Sequence, residues 1–170
     1  MKTYIVLLRG VNVGGKNLLP MKPFVSLLEQ NDFQKVKYYI QSGNIVLESK
    51  SDPSKKIQDI IYQQYNFVPD IFTLTVSDFA SVVNNNPYKE QEGKLVHFYF
   101  CENAIDLNLE KMNHWISSTE KYQVINNVFY LFAPEGIGRS KLVANIGACL
   151  QQSGTGRNLN TINKIKQLSC

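Results

Sequence analysis

The order strand, helix, hairpin, helix, strand is written into this chain twice, and that repetition limits the possible folds more than any single motif does. Thr3 to Arg9 is near-continuously apolar and rich in β-branched and aromatic residues, as in a buried strand. Met21, Phe24, Val25 and Leu28 then fall at i, i+3, i+4 and i+7, one face of a helix that opens near Pro20 and tolerates Pro23 in its first turn. Val36 to Gln41 and Asn44 to Glu48 flank Ser42-Gly43, a turn whose glycine can take positive φ, and together they read as a hairpin. Asp52-Pro53 opens a second helix with Ile57, Ile60, Ile61 and Tyr65 on one face, and Asp70 to Val76 is a fourth strand. This is the βαββαβ pattern of a ferredoxin-like unit.

The second occurrence follows a short helix, capped by Ser77 and ended near Asn86-Pro87. Leu95 to Cys101 reads as a strand, Ile105 to Ile116 as a helix, and Gln123 to Ile125 with Val128 to Phe132 as a hairpin around Asn126-Asn127. Lys141 to Leu150 reads as one helix with Leu142, Val143, Ile146, Cys149 and Leu150 inward. A short strand or loop and a last helix, Leu159 to Leu168, capped by Asn158 or Asn160, end the chain. Corresponding points (Thr3 and Lys94, Pro20 and Ile105, Gly43 and Asn127, Pro53 and Arg139) lie 91, 85, 84 and 86 residues apart, which indicates an internal duplication. The expected fold is α+β: two ferredoxin-like halves, residues 1–76 and 77–170, with an extra C-terminal helix, forming one compact unit.

At 170 residues, with 44% hydrophobic and 19% charged side chains, the chain is neither disordered nor membranous. The opening apolar run stops at Arg9, too short for a signal peptide or a membrane span, and reads as the first strand of a cytoplasmic protein. The net charge of +4 hides an asymmetry. Residues 1–28 hold Lys2, Arg9, Lys16 and Lys22 with no acid, and residues 136–170 hold Arg139, Lys141, Arg157, Lys164 and Lys166, again with no acid. Such ends attract phosphate-bearing partners if the fold gathers them; otherwise they are solvated lysines and arginines.

The most chemically suggestive stretch is Arg9-Gly10-Val11-Asn12-Val13-Gly14-Gly15-Lys16-Asn17. Its glycines permit sharp turns and close backbone approach, and its cations and carboxamides supply donors. It comes within one residue of a P-loop, but Asn17 stands where a magnesium-binding Ser or Thr is required, and Pro20 would fall inside the helix that must follow. A nucleotide-hydrolysing P-loop is therefore excluded. Two readings remain: an anion-accepting nest of backbone N–H groups, and a strand-to-helix connection in which Asn12 and Asn17 bond local backbone. Gln41-Ser42-Gly43-Asn44 is a hairpin turn by residue type, and Ser42 would need a neighbouring base to act as a nucleophile. Gly136-Ile137-Gly138-Arg139-Ser140-Lys141 leads into a helix with two cations at its start.

His97, in an apolar strand, and His114, beside Trp115, are the only histidines, so neither a hydrolytic triad nor a zinc centre is indicated. Cys101, Cys149 and Cys170 are odd in number and far apart, which argues against a disulfide framework and for reduced thiols. The strand aromatics Tyr38, Tyr39, Phe98, Tyr99, Phe100, Phe129, Tyr130 and Phe132 lack the motif of an RNA-recognition sheet and fit core packing.

Taken together, several segments resemble the signature segments of the bacterial family called domain of unknown function 1697. They are Leu8 to Asn17 with Met21; Tyr39 to Asn44; Pro134-Glu135-Gly136 with Ser140-Lys141; and Arg157 to Thr161 with Lys164 and Leu168. The resemblance runs nearly end to end. It departs at Leu159, where the family usually has tryptophan. The resemblance implies a two-part α+β fold of paired ferredoxin-like units and implies no reaction.

The functional expectation is an anionic, phosphate-bearing ligand, a nucleotide or nucleic acid, held between the halves. Arg9, Lys16, Lys141 and Arg157 would meet the anion; Asn12, Asn17, Gln41, Ser42, Asn44, Asn158 and Asn160 would orient it. No metal and no membrane are expected, and the sequence leaves cofactor and oligomeric state unknown. An enzyme of unknown class acting at the same site and a structural or partner-binding module are the alternatives.

Overall fold

The computed structural model describes all 170 residues, which divide into two compact units: Met1–Ser81 with Asn163–Cys170, and Val82–Ile162. In the first unit the elements are β1 (Lys2–Leu8), α1 (Met21–Gln30), β2 (Gln34–Tyr39), β3 (Asn44–Ser49), α2 (Ser54–Tyr65) and β4 (Ile71–Thr75). The strands form one antiparallel sheet in the order β2-β3-β1-β4. The uninterrupted apolar run of β1 dictates its central place. Val6 and Leu8 pack with Met21, Phe24 and Leu28 of α1 and Ile57 and Ile61 of α2, while Ile5 and Leu7, alternating to the opposite face, are equally buried. Each such side chain contributes roughly 1.5–3 kcal/mol on burial.

α1 starts after Pro20, and α2 follows Asp52, whose carboxylate accepts from the Ser54 N–H at 2.9 Å. The short helix α3 (Val76–Asn84) runs on from β4, but its cap is Thr75, whose Oγ1 accepts from the Asp78 N–H at 3.1 Å. Ser77, expected as the cap, lies inside the first turn, where its own N–H needs a partner further back.

In the second unit a 3₁₀ turn at Gly93–Leu95 leads into β5 (Val96–Cys101). α4 (Leu109–Trp115), β6 (Lys121–Ile125), β7 (Val128–Phe132), α5 (Lys141–Ala144), α6 (Ile146–Leu150) and β8 (Gly154–Asn158) follow. The sheet order is β6-β7-β5-β8, the same permutation as in the first unit, so the structure holds two ferredoxin-like βαββαβ sheets. Tyr99, Cys101, Phe129 and Leu131 pack with Met112, Leu142, Cys149 and Leu150 on the helical face. On the other face Phe98 and Tyr130 meet edge to face at 4.8 Å, and the Tyr130 hydroxyl donates to the Val82 carbonyl at 2.6 Å. Most of the strand aromatics are thus core residues.

Two helices depart from their expected extent. The helix expected over Ile105 to Ile116 begins only at Leu109. Asn108 caps it by accepting from the Lys111 N–H at 3.1 Å, and the Ile105 and Asn108 N–H groups bond the Asn126 and Cys149 carbonyls instead of a helical turn. The helix expected over Lys141 to Leu150 breaks at Asn145, whose side-chain amide donates to the Lys141 carbonyl at 2.8 Å and so competes with the backbone ladder. The last helix, α7 (Leu159–Leu168), forms as expected, with Asn158 as its cap: its Oδ1 accepts from the Thr161 N–H at 2.9 Å. From Asn163 onward its residues group with the first unit.

Candidate functional site

Seven of the residues singled out from sequence lie in the first unit: Arg9, Asn12, Lys16, Asn17, Gln41, Ser42 and Asn44. Antiparallel pairing of β1 with β3 puts the end of β1 and the β2–β3 turn at the same end of the sheet, with Leu7 opposite Asn44. The Leu8 N–H donates to the Gly43 carbonyl at 2.9 Å. Gly43 sits at φ +85, and a Cβ there would lie 2.7 Å from the Cβ of Leu8, so only glycine fits.

The glycine-rich stretch is a miniature hairpin. Val13 and Lys16 pair across Gly14-Gly15, the Lys16 N–H donating to the Val13 carbonyl at 3.0 Å, and the Asn12 N–H donates to the Asn17 carbonyl, also at 3.0 Å. Gly14 and Gly15 both have positive φ, 59 and 73, as a two-residue I′ turn requires. Asn12 holds this hairpin in place. Its Oδ1 accepts from the Leu19 N–H at 2.7 Å, and its Nδ2 donates to the Leu19 carbonyl at 2.9 Å and the Gln41 carbonyl at 2.7 Å. Asn17 Nδ2 donates to the Gly10 carbonyl at 3.2 Å. Both asparagines have left-handed backbone, which their residue type tolerates, so their amides serve the scaffold.

What this end of the unit shows to solvent is mixed. Lys16 is exposed and forms no ion pair, whereas the Arg9 guanidinium lies 3.4 Å from the Asp70 carboxylate and the Arg9 N–H donates to the Asp70 carbonyl. Asp70 is more than fifty residues away in sequence, so the acid-free stretch gains an acid only through folding. With both partners about half exposed, that pair is worth at most about 1 kcal/mol. Val13 is 63% exposed, Leu18 64% and Ile40 46%, and Ile40 also sits at φ 50, a costly place for a β-branched residue. Sequence reasoning passed over Val13, Leu18 and Ile40: the first two are apolar residues in a polar loop, and the apolar pattern assigns Ile40 to a strand over Val36 to Gln41, whereas β2 ends at Tyr39. In the turn, Asn44 is buried and its Nδ2 donates to the Tyr39 carbonyl at 3.1 Å and to Ser42 Oγ at 2.8 Å. A neutral amide donor does not activate that hydroxyl for attack.

The other four residues, Lys141, Arg157, Asn158 and Asn160, lie in the second unit. Arg157 is buried in β8, its Nη1 donating to Thr155 Oγ1 at 2.7 Å and to the Gly156 carbonyl at 2.9 Å. Burial pulls its pKa down to about 10, so it stays cationic at neutral pH. Asn158 caps α7, and the exposed Asn160 folds its side chain over Gly93, where any Cβ would collide with it. Leu159 is 7% exposed and belongs to the buried set. Lys141 is exposed at the start of α5, after Ser140, whose Oγ accepts from the Val143 N–H at 3.1 Å and donates to Glu120 at 2.5 Å.

Burial raises the Cys101 thiol to about 11 and raises that of Cys149, the opposite of what a nucleophilic thiolate needs. His97 is buried, bonds the Lys94 backbone and leaves Nε2 without a partner, and desolvation lowers its pKa. No three His, Cys, Asp or Glu side chains are grouped so as to hold a metal ion, and no helix is long and apolar enough to cross a membrane.

A duplicated β2-β3-β1-β4 sheet order, with polar glycine-bearing turns at one end of the first sheet, defines a protein of paired ferredoxin-like units. The chain belongs to the family described as "Protein of unknown function (DUF1697)", which its residues 1–130 match. The solved structure of a conserved bacterial protein from Streptococcus pneumoniae is similar over 99% of this chain and 99% of that one, with a TM-score of 0.69 and 23% identity, a likeness of fold alone. No curated protein matches.

Proposed function

We propose that the chain binds a phosphate-bearing ligand, a single strand of nucleic acid, at the end of its first unit formed by residues 9–18 and 40–44. The observation that carries this reading is the tip itself: a hairpin closed by its own backbone bonds and carrying exposed Lys16 beside exposed Val13 and Leu18, tied through Asn12 to the turn that holds exposed Ile40. A rigid tip loses little entropy on binding. Cations beside apolar side chains suit a chain that alternates phosphates with bases, and an exposed tip suits an extended ligand better than an enclosed nucleotide. Lys22, exposed in the first turn of α1, adds a second cation a few residues after Leu18. The three free cysteines accord with a reducing compartment, and so with a cytoplasmic protein.

Fluorescence anisotropy with short labelled single-stranded RNA and DNA, run across a salt series, tests this. Affinity should fall with salt, and Lys16→Ala should reduce the slope of log K against log salt by about 0.7, one single-strand phosphate contact. Absent or salt-independent binding, or a Lys16→Glu variant that binds as wild type does, rejects the proposal.

A second reading is favoured by one observation, the three backbone bonds of Asn12: the polar end serves only to tie β1, α1 and the hairpin together. Under that reading Asn12→Ala lowers stability while Lys16→Glu changes nothing measurable.

A further inference from the structure

The geometry points to a second site, wholly within the second unit, that takes a small zwitterion of the amino-acid class with an apolar or aromatic side chain. A pocket of about 360 Å³ lies between the end of α4, His114 to Ser117, and the segment Glu135 to Lys141. That volume is at the lower end of the range for metabolite pockets and too small for a dinucleotide.

Its walls are preorganised by one carboxylate. Glu120 Oε1 accepts from the Ser117 N–H at 2.9 Å and Oε2 from Ser140 at 2.5 Å, so the two sides of the pocket are bonded to each other. The second side is braced further by the Gly136 N–H donating to the Ala133 carbonyl at 2.9 Å and the Ser140 N–H to the Ile137 carbonyl at 3.2 Å. Glu120 and Ser140 are therefore committed to structure. Arg139, Lys141 and Glu135 are not: all three are exposed, line the pocket and form no ion pair. The apolar part of the lining comes from Trp115 and Ile116, both half-buried and packed on the unit's core.

With His114 neutral, the formal charges of the lining cancel, two cations against two carboxylates. A polyanion would meet Glu120 and Glu135 as well as the cations, which disfavours a nucleoside polyphosphate. A ligand carrying one charge of each sign meets both: its carboxylate faces Arg139 and Lys141, its ammonium faces Glu135, and its side chain lies against Trp115 and Ile116. This site is independent of the nucleic-acid reading and survives its failure.

Isothermal titration with L-phenylalanine, phenethylamine and 3-phenylpropionate tests the assignment, each analogue lacking one of the two charges. The amino acid should bind at least about tenfold more tightly than either analogue. Arg139→Ala should remove most of that advantage over the amine, with Arg139→Lys restoring part, and Glu135→Gln should remove most of the advantage over the acid. All three positions are exposed, so circular dichroism should show folded variants. No binding up to about 10 mM, equal binding by either analogue, or wild-type affinity in Arg139→Ala and Glu135→Gln overturns the proposal.

Discussion

Replacing Asn12 with alanine removes a side chain whose three hydrogen bonds hold the glycine hairpin to Leu19 and to the Gln41 turn. These bonds are partly exposed, so water replaces some of what is lost, and about 0.5–1 kcal/mol each is the appropriate scale. Alanine must also take up φ 56, where asparagine is tolerated and alanine pays about 1 kcal/mol. The sum is about 3 kcal/mol. For a unit of about 90 residues that lowers the midpoint of the first unit's thermal transition by roughly 12–24 °C. The sole tryptophan, Trp115, lies in the second unit, so far-ultraviolet circular dichroism is the suitable probe. Asn12→Gly loses the same bonds without the backbone strain and should be the milder variant by about 1 kcal/mol. An Asn12→Ala protein within about 0.5 kcal/mol of wild type, or Asn12→Gly the less stable of the two, refutes the assignment of Asn12 as the tie.

Three further outcomes follow from buried groups. His97 has a depressed pKa in the folded state, so below the ordinary value of 6.5 the unfolded chain takes up a proton that the native one refuses. Stability should therefore fall as pH drops through 6.5 and below, by up to about 1.4 kcal/mol per unit; a His97→Gln variant with the same dependence in urea unfolding would contradict this. Gly43→Ala should cost about 2–3 kcal/mol in the same assay through positive φ and collision with Leu8, a near-neutral effect being the contrary result. Of the three thiols, Cys170 alone is exposed, so a thiol reagent should modify one cysteine rapidly in the native protein and none in Cys170→Ser; two fast thiols would be inconsistent with buried Cys101 and Cys149.

The fold was legible because its signals were periodic and came in a repeated order. A continuous apolar run such as Thr3 to Arg9 has to lie at the centre of a sheet, and the hairpins around Gly43 and Asn126 announced themselves by turn chemistry. What misled were side chains that bond backbone. Thr75, Asn108 and Asn145 moved a cap, shortened a helix and broke another, each by offering a local partner that periodicity does not record. The polar segments illustrate the same limit. Asn12, Asn17, Asn44 and Asn158 look alike in sequence whether they hold a ligand or a loop, and only their bonds distinguish the two. Arg157 reads as a surface cation until its burial is seen, and the pairing of Arg9 with Asp70 depends on β1 and β4 lying side by side.

The most direct test of the nucleic-acid reading is an amide NMR titration of the isotopically labelled full chain with a short single-stranded RNA at low salt. The account predicts shifts concentrated at Arg9 to Leu18 and at Ile40 to Gln41, fading as salt is added and lost in Lys16→Glu. Shifts confined to other residues, or none at all, would contradict it.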